Sequence, residues 1–404
     1  MDFEDTKSEA DYRAQVRSWL EANAEDYRNA PAKAWEEDEF VERAKAWQAQ
    51  KMQAGYVAIT WPKEIGGQGG TPIQQVIFSQ EESKYHVPLG LFEIGLGMCI
   101  PTVVKHGTAD HAKRYVPPAL LGKEVWCQLF SEPAAGSDLA GIRTKAVRDG
   151  DNWVINGQKV WTSWGHRADY GILITRTDFN VPKHKGMTMF FLDMKSPGVE
   201  VRPIKQMSGA SNFNEVFFND VVIPDSQRLG DVGDGWRVSL TTLMNERLAV
   251  GGKPSSAPAA GDFVQLAEYF DAVDDGSVKQ AIADFYLKDE GVRLTRMRAL
   301  TALSRGQLPG PEASLGKLVI AKALQDGGQA VMDMAGPAGL IRDKQNAPAL
   351  DKWQASYIWS AGLRIAGGTD EILRNIIAER VLGLPGDVRV DKDKAFNELP
   401  TGKS

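Results

Sequence analysis

Cysteine is almost missing from this chain. The two present, Cys99 and Cys127, are too few for a disulfide framework and have no metal-ligand spacing, so both read as small packed hydrophobes. Histidine is also sparse: His86, His106, His111, His166 and His184 stand at no helical or hairpin spacing that would hold a metal. Positive charge is not in excess. A net charge of −6 argues against a nucleic-acid partner, whose phosphates most of this surface would repel, and short basic runs such as Lys183-His184-Lys185 read as solvated loops. No run approaches the ~20 apolar residues needed to span a bilayer. The start, MDFEDTKSEADYR, is acidic and lacks an apolar stretch, so it reads as neither a secretory signal nor a transit peptide. With cysteine so scarce, the expectation is a cytoplasmic protein. Also missing are a Gly-x-Ser-x-Gly elbow and a two-glycine nucleotide fingerprint behind a strand, which weakens hydrolase and nicotinamide-dehydrogenase readings.

What is present is ordinary material for a folded protein. Apolar residues make up 43% of the chain and charged residues 25%, and 404 residues suffice for two or three domains. Over 1–125, apolar residues recur at helical spacing between Pro/Gly loops: Trp19 and Leu20 close one amphipathic segment, and Phe40, Val41, Ala44, Trp47 and Met52 mark another. The glycine-rich stretch from Trp61 to Gly70 lacks the Walker spacing and reads as a turn between helices. Over 126–236, short β-branched and aromatic runs take over. Tyr170 to Arg176, Met187 to Met194, Val199 to Ile204 and Glu215 to Phe218 predict strands of a mostly antiparallel barrel or sandwich. Over 237–404 the helical pattern returns, introduced by a stripe of Trp236, Leu240, Leu243, Met244 and Leu248. The expected architecture is an N-terminal α-helical domain, a central β-domain and a C-terminal α-helical bundle.

The stretch 128–163, QLFSEPAAGSDLAGIRTKAVRDGDNWVINGQKVWTS, carries the most chemistry. Ser131 to Asp138 is a loop of small residues, hydroxyls and backbone N–H groups that can approach a cofactor's polar edge and phosphates. Asn156-Gly157, flanked by Trp153-Val154-Ile155 and Lys159-Val160-Trp161, reads as a two-residue hairpin turn, which sets Trp161, Thr162 and Ser163 at a strand end. Taken singly, Phe130 and Trp161 could be core aromatics, and Ser131 and Ser137 turn residues. A second element, Gly367-Gly368-Thr369-Asp370-Glu371, precedes an amphipathic helix with Thr369 as its N-cap. Free N–H groups beside two glycines would allow close approach of an anion there.

In order and separation, the SEPAAGSD loop, NGQKVWTS, FFNDVVIP and GGTDEILRNII resemble the acyl-CoA dehydrogenase family. The resemblance implies FAD, with Phe130 and Ser131 along the flavin's pyrimidine side, Ser137 at the pyrophosphate, Trp161 flanking the ring, Ser163 donating toward N5, and Thr369 and Glu371 contacting the cofactor. Met332 to Gly339 resembles the segment that meets the adenine half across a subunit boundary, with Asp333 and Pro337 as departures. Lys279 is the substitute candidate for an arginine that binds pyrophosphate from a neighbouring subunit. Also implied are an acyl-CoA substrate, an electron-transfer flavoprotein as electron acceptor, and a homo- or hetero-oligomer, dimer or tetramer.

Many family members carry the catalytic carboxylate directly before Gly-Thr in the glycine motif, where this chain has Gly367. A smaller set carries it as a Glu followed by Arg on the helix after the β-domain, and Met244-Asn245-Glu246-Arg247-Leu248 matches that pattern. Glu246 is therefore the candidate base for the substrate Cα proton. Arg247 is the candidate for positioning substrate or carboxylate, with a structural ion pair as the alternative. Gly367 retains the backbone N–H that the family turns on the thioester carbonyl. Gly90, Gly95 and Gly97 fall near the family's acyl pocket, although helix packing accounts for them equally. The expected reaction is α,β-dehydrogenation of an acyl-CoA to a trans-2-enoyl-CoA by α-proton abstraction and β-hydride transfer to flavin N5. The alternatives are a non-catalytic or partner subunit of a heteromeric dehydrogenase, and a flavin oxidase or monooxygenase on the same fold.

Overall fold

The computed structural model describes residues 5–29, 35–250, 257–304, 310–343, 345–389 and 391–400, with the side chains of 246–250, 300, 303, 304, 313 and 350 outside that set. Helices α1 (Lys7–Asn23), α2 (Glu37–Gln53), α3 (Pro72–Glu82), α4 (Ile100–His106) and α5 (Ala109–Leu120) come first. Strands β1 (Trp126–Leu129), β2 (Lys145–Asp149), β3 (Asn152–Ser163), β4 (Tyr170–Arg176), β5 (Met187–Asp193), β6 (Val199–Ile204), β7 (Phe213–Pro224) and β8 (Arg228–Leu229) follow. Then come α6 (Gly235–Val250), α7 (Ala260–Tyr269), α8 (Gly276–Ser304), α9 (Ser314–Ala335), α10 (Lys352–Leu363) and α11 (Asp370–Arg380). The chain divides into two compact units: a helical one of Met1–Glu37, Gly70–Val87 and Val250–Gly386, and a sheet-bearing one of Asp38–Gly69, Pro88–Ala249 and Asp387–Ser404.

In the sheet-bearing unit the strands run in the order β6-β7-β3-β2-β4-β5-β8, with β1 added to β4. The β1–β4 and β2–β4 pairings are parallel and the others antiparallel, so the sheet is mixed, with antiparallel pairing predominating. Strands β4 and β5 are buried on both faces. Ile172, Ile174, Met189 and Phe191 join a core with Ile100, Val103, Val116, Leu120 and Val238 of α4, α5 and α6. Their neighbours Leu173, Phe190 and Leu192 join a second core with Trp153, Ile155, Val216 and Phe218 of β3 and β7. Two-sided burial is why these runs read as continuously apolar. Cys99 and Cys127 are free and buried, as small core residues.

Two local expectations need correction. Asn156-Gly157 is not a turn. It lies inside β3, and the hairpin reverses at Gly150-Asp151, with Asp149 paired to Asn152 and Gly150 at φ 58°. The register against β7 slips between Ile155 and Gly157. Asn156 Nδ2 donates to Asp220 Oδ1 at 2.9 Å and its Oδ1 accepts from the Asp220 amide at 3.0 Å, so its turn-forming side chain is used across the sheet. Glycine is required at 157 because a Cβ there would lie 2.7 Å from Thr144 Cα. The second correction concerns α6. Of the expected stripe, Trp236 and Leu243 are partly buried against the core, Leu240 and Met244 are exposed, and the Leu248 side chain lies outside the described residues. Val238, Ser239 and Thr242 are buried in the stripe's place. Ser239 and Thr242 satisfy their hydroxyls on the carbonyls of Gly235 and Val238, and Thr242 also bonds Thr102 of α4 at 2.9 Å. A polar face can be buried when its hydroxyls bond locally in this way.

The helical unit is centred on α9, between α8 and α10. Phe263, Phe285 and Trp353 form an edge-on cluster with centroids 5.1 to 6.3 Å apart. Gly327 and Gly328 let the neighbours close in, since Cβ atoms there would meet Phe285 at 2.7 Å and Tyr357 at 2.9 Å. At the α1–α3 contact, Glu81 accepts from Arg13, Arg17 and Lys84.

Candidate active site

The 130–144 loop is fixed to β3 by a buried ion pair that sequence reasoning passed over. The Lys159 ammonium is fully buried and donates to Glu132 Oε1 at 2.9 Å and to the Phe130 carbonyl at 3.0 Å. Glu132 also accepts from the amides of Arg143 and Thr144 at 2.6 and 2.9 Å. Burial pushes Lys159 down to about 8, against the pull of Glu132. Burial would raise the Glu132 carboxyl, but Lys159 and the two amides outweigh it and hold it low. The Val160 amide donates to the Ser131 carbonyl at 2.9 Å, and Glu132 and Ala135 exchange backbone bonds. Beyond this anchored base, Gly136, Ser137 and Asp138 are exposed, and the space beside Gly136 is open.

Two residues past Lys159, Trp161 is 59% exposed at φ 62°. An indole in the left-handed region is a true outlier, tolerated only where surrounding structure dictates it. Here the β3–β7 register breaks between Lys159 and Thr162, and Phe213 packs edge-on against the indole at 6.2 Å. The break turns Trp161 outward. Thr162 Oγ1 is buried without a hydrogen-bond partner among the described residues, Ser163 is half-buried, and Phe130 is buried in the helix-facing core. The structure thus brings Phe130, Ser131, Trp161 and Ser163 onto the end of β3 and the loop pinned to it. This donor set suits a flavin dinucleotide: an open aromatic face, hydroxyls at a strand end, and an exposed Gly/Ser stretch.

In the helical unit, Thr369 caps α11, accepting from the Ile372 amide at 3.2 Å. Gly367 and Gly368 stand at φ 66° and 93°, where side-chain-bearing residues are strained. Asp370 is buried and receives Arg364 Nε at 2.6 Å. Lys317, 3.6 Å from the same carboxylate, donates to the Gly368 carbonyl at 2.8 Å, and burial lowers its pKa. These buried charges hold the motif's shape and leave Glu371 exposed. Lys279 pairs with Asp274 at 3.0 Å. Glu246 and Arg247 belong to the end of α6, and their side chains lie outside the described residues.

Both charged anchors were within reach of the sequence. Glu132 lies inside the singled-out loop, and Lys159 is a lone cation in a strand flanked by Val160 and Trp161. Nothing in the spacing, however, pairs residues 27 positions apart.

The three parts of the acyl-CoA dehydrogenase family description match in order: the N-terminal domain over 6–123, the middle domain over 127–221 and the C-terminal domain over 233–382. The chain belongs to the acyl-CoA dehydrogenase family, flavoprotein oxidoreductases of fatty acid or lipid catabolism, whose members use FAD. The acyl-CoA dehydrogenase IpdE1 of Mycolicibacterium smegmatis is 37% identical over 395 residues, covering 94% of this chain and 98% of that protein. Another relative, from Mycobacterium tuberculosis, is 39% identical over 343 residues, but the chain spans only 46% of its length. Among solved structures, one described as the Tcur3481-Tcur3483 steroid ACAD aligns at TM-score 0.81 and 28% identity, over 96% of this chain and 100% of that one. The ChsE4-ChsE5 complex from Mycobacterium tuberculosis aligns at 0.78 and 28%, over 96% and 100%. Among the described residues no helix is long and apolar enough to cross a membrane, and no group of three or more His, Cys, Asp or Glu could hold a metal.

Proposed function

We propose that this chain binds FAD and dehydrogenates an acyl-CoA between Cα and Cβ, giving the trans-2-enoyl-CoA. The observation that carries the reading is Trp161, an exposed indole in a strained backbone conformation beside an anchored Gly/Ser loop. Bound FAD supplies the hydride acceptor. The chain's residues do the rest. Trp161 covers one face of the ring, Ser131 and Ser163 donate to its polar edge, and Ser137, Thr369 and Glu371 hold the dinucleotide. Glu246 removes the Cα proton, and Arg247 orients it or the thioester. The Gly367 amide donates to the thioester carbonyl as negative charge builds there, and such a donor is commonly worth a few kcal/mol in the transition state. Glycine at 367 leaves the family's more usual carboxylate position empty, which makes Glu246 the base. The likeness to a structure described as a steroid ACAD supports a bulky polycyclic acyl group, and the likeness to a two-protein complex supports a hetero-oligomer. Electrons then pass to an electron-transfer flavoprotein.

Purified protein should be yellow and should bleach without oxygen on addition of the right acyl-CoA. Glu246→Gln should keep the colour and lose the bleaching. Wild-type bleaching rates in that variant would refute the assignment of the base, and FAD per chain below one would favour the partner-subunit reading.

A further inference from the structure

After α11 the chain returns to the sheet-bearing unit, where its last described residues are held along the 179–183 stretch. The amides of Phe396 and Asn397 donate to the carbonyls of Val181 and Phe179, both at 2.9 Å, and Asn397 Nδ2 donates to Asn180 Oδ1 at 2.9 Å. Lys183 bridges Asp391 at 2.7 Å and Asp138 at 2.9 Å. Phe396 itself is buried, with the Arg176 guanidinium carbon 3.7 Å and that of Arg143 4.9 Å from its ring centroid.

Arg176 is fully buried, and among the described residues no carboxylate stands within ion-pair distance. Its donors are taken by main-chain carbonyls: Ala140 at 2.6 Å, Ile142 at 2.9 Å and Lys183 at 3.0 Å. A buried cation without an anion depends on each such partner, and two aromatic faces add to them, Phe396 at 3.7 Å and the more distant Phe179 at 5.9 Å. Ala140 and Ile142 belong to the stretch that begins at Ser137 and Asp138. Contacts therefore run unbroken from Phe396, through one guanidinium, to the loop proposed to receive the cofactor's phosphates.

We propose that Phe396 is a positioning residue for that loop: by capping the Arg176 guanidinium, it holds Ser137 to Ile142 in the shape that receives the FAD pyrophosphate. The inference rests on the FAD reading above.

The test uses the full chain as purified. Phe396→Ala should speed FAD release on dilution, followed by flavin fluorescence, by about tenfold or more, and should raise amide hydrogen exchange over 137–144. Phe396→Tyr, which keeps a ring over the guanidinium, should restore both. Unchanged release and unchanged loop exchange, with faster exchange confined to 391–398, would overturn the proposal. If the alanine variant does not fold, Asp391→Asn loosens the same segment from the surface. It should raise exchange over 137–144 and speed release by about twofold, and no change in either refutes the coupling. A wild-type chain that takes up no FAD sinks the cofactor reading instead, and loop exchange then decides separately whether the segment shapes the loop.

Discussion

Lys159 shows how one buried residue can fix the shape of an exposed loop. Its ammonium ties Glu132 and the Phe130 carbonyl to β3, while the next residues on that strand present Trp161 and Ser163. Lys159→Met should leave Glu132 as a buried carboxylate without its cation, with an expected loss of about 3–5 kcal/mol in urea unfolding. Adding Glu132→Gln removes the stranded charge and should recover part of that loss, so the double-mutant cycle should show coupling between the two positions. Strict additivity would mean that the pair does not act as a unit. Gly367 makes the complementary point: a carboxylate-bearing side chain there would have to adopt φ 66°.

At the scale of elements, the sequence was most legible where burial imposes a simple pattern. Strand β4 runs from Tyr170 to Arg176 as read, because both its faces are packed and the apolar run has sharp ends. It was least legible where a local signal was taken up by a distant partner. Asn156-Gly157 has the composition of a turn, yet Asp220 and Thr144 claim it. The α6 stripe holds at Trp236 and Leu243 and fails at Leu240 and Met244, because Ser239 and Thr242 satisfy their own hydroxyls and so can be buried beside it. The α11 cap is a case where local logic holds. Thr369→Ala should cost about 1 kcal/mol through the lost bond to the Ile372 amide, and Thr369→Ser should recover most of it. Thermal unfolding checks both, and an alanine variant as stable as wild type would rule out the cap as a contributor. The loop and the glycine motif were likewise recognisable as short stretches. Their anchors, Lys159 for Glu132 and Lys317 for Asp370, were not, because each pair is separated by tens of residues.

At the scale of the whole molecule, acid should loosen the helical unit at the α1–α3 contact. Burial would raise the Glu81 carboxyl, but Arg17, Lys84 and Arg13 overcome it and hold it at about 2, below the ordinary 4.5. The folded state therefore binds its proton later than the unfolded chain. The resulting stability is complete above pH about 4.5 and is lost as the pH falls toward 2. Urea midpoints between those values should fall with pH in the wild type and fall less steeply in Glu81→Gln. Equal slopes would assign the acid sensitivity to other carboxylates.

Both compact units are interleaved along the chain, and the one bearing the sheet takes its final piece from Asp387–Ser404. During synthesis, strands β1 to β8 leave the ribosome long before the residue that stacks on Arg176. Until then that cation has its carbonyls and the more distant ring of Phe179, and the nascent sheet must wait, unfinished, for 250–386 of the helical unit to be made first. A chain interrupted before Phe396 would carry every described strand and still leave the guanidinium that holds Ala140 and Ile142 without that ring.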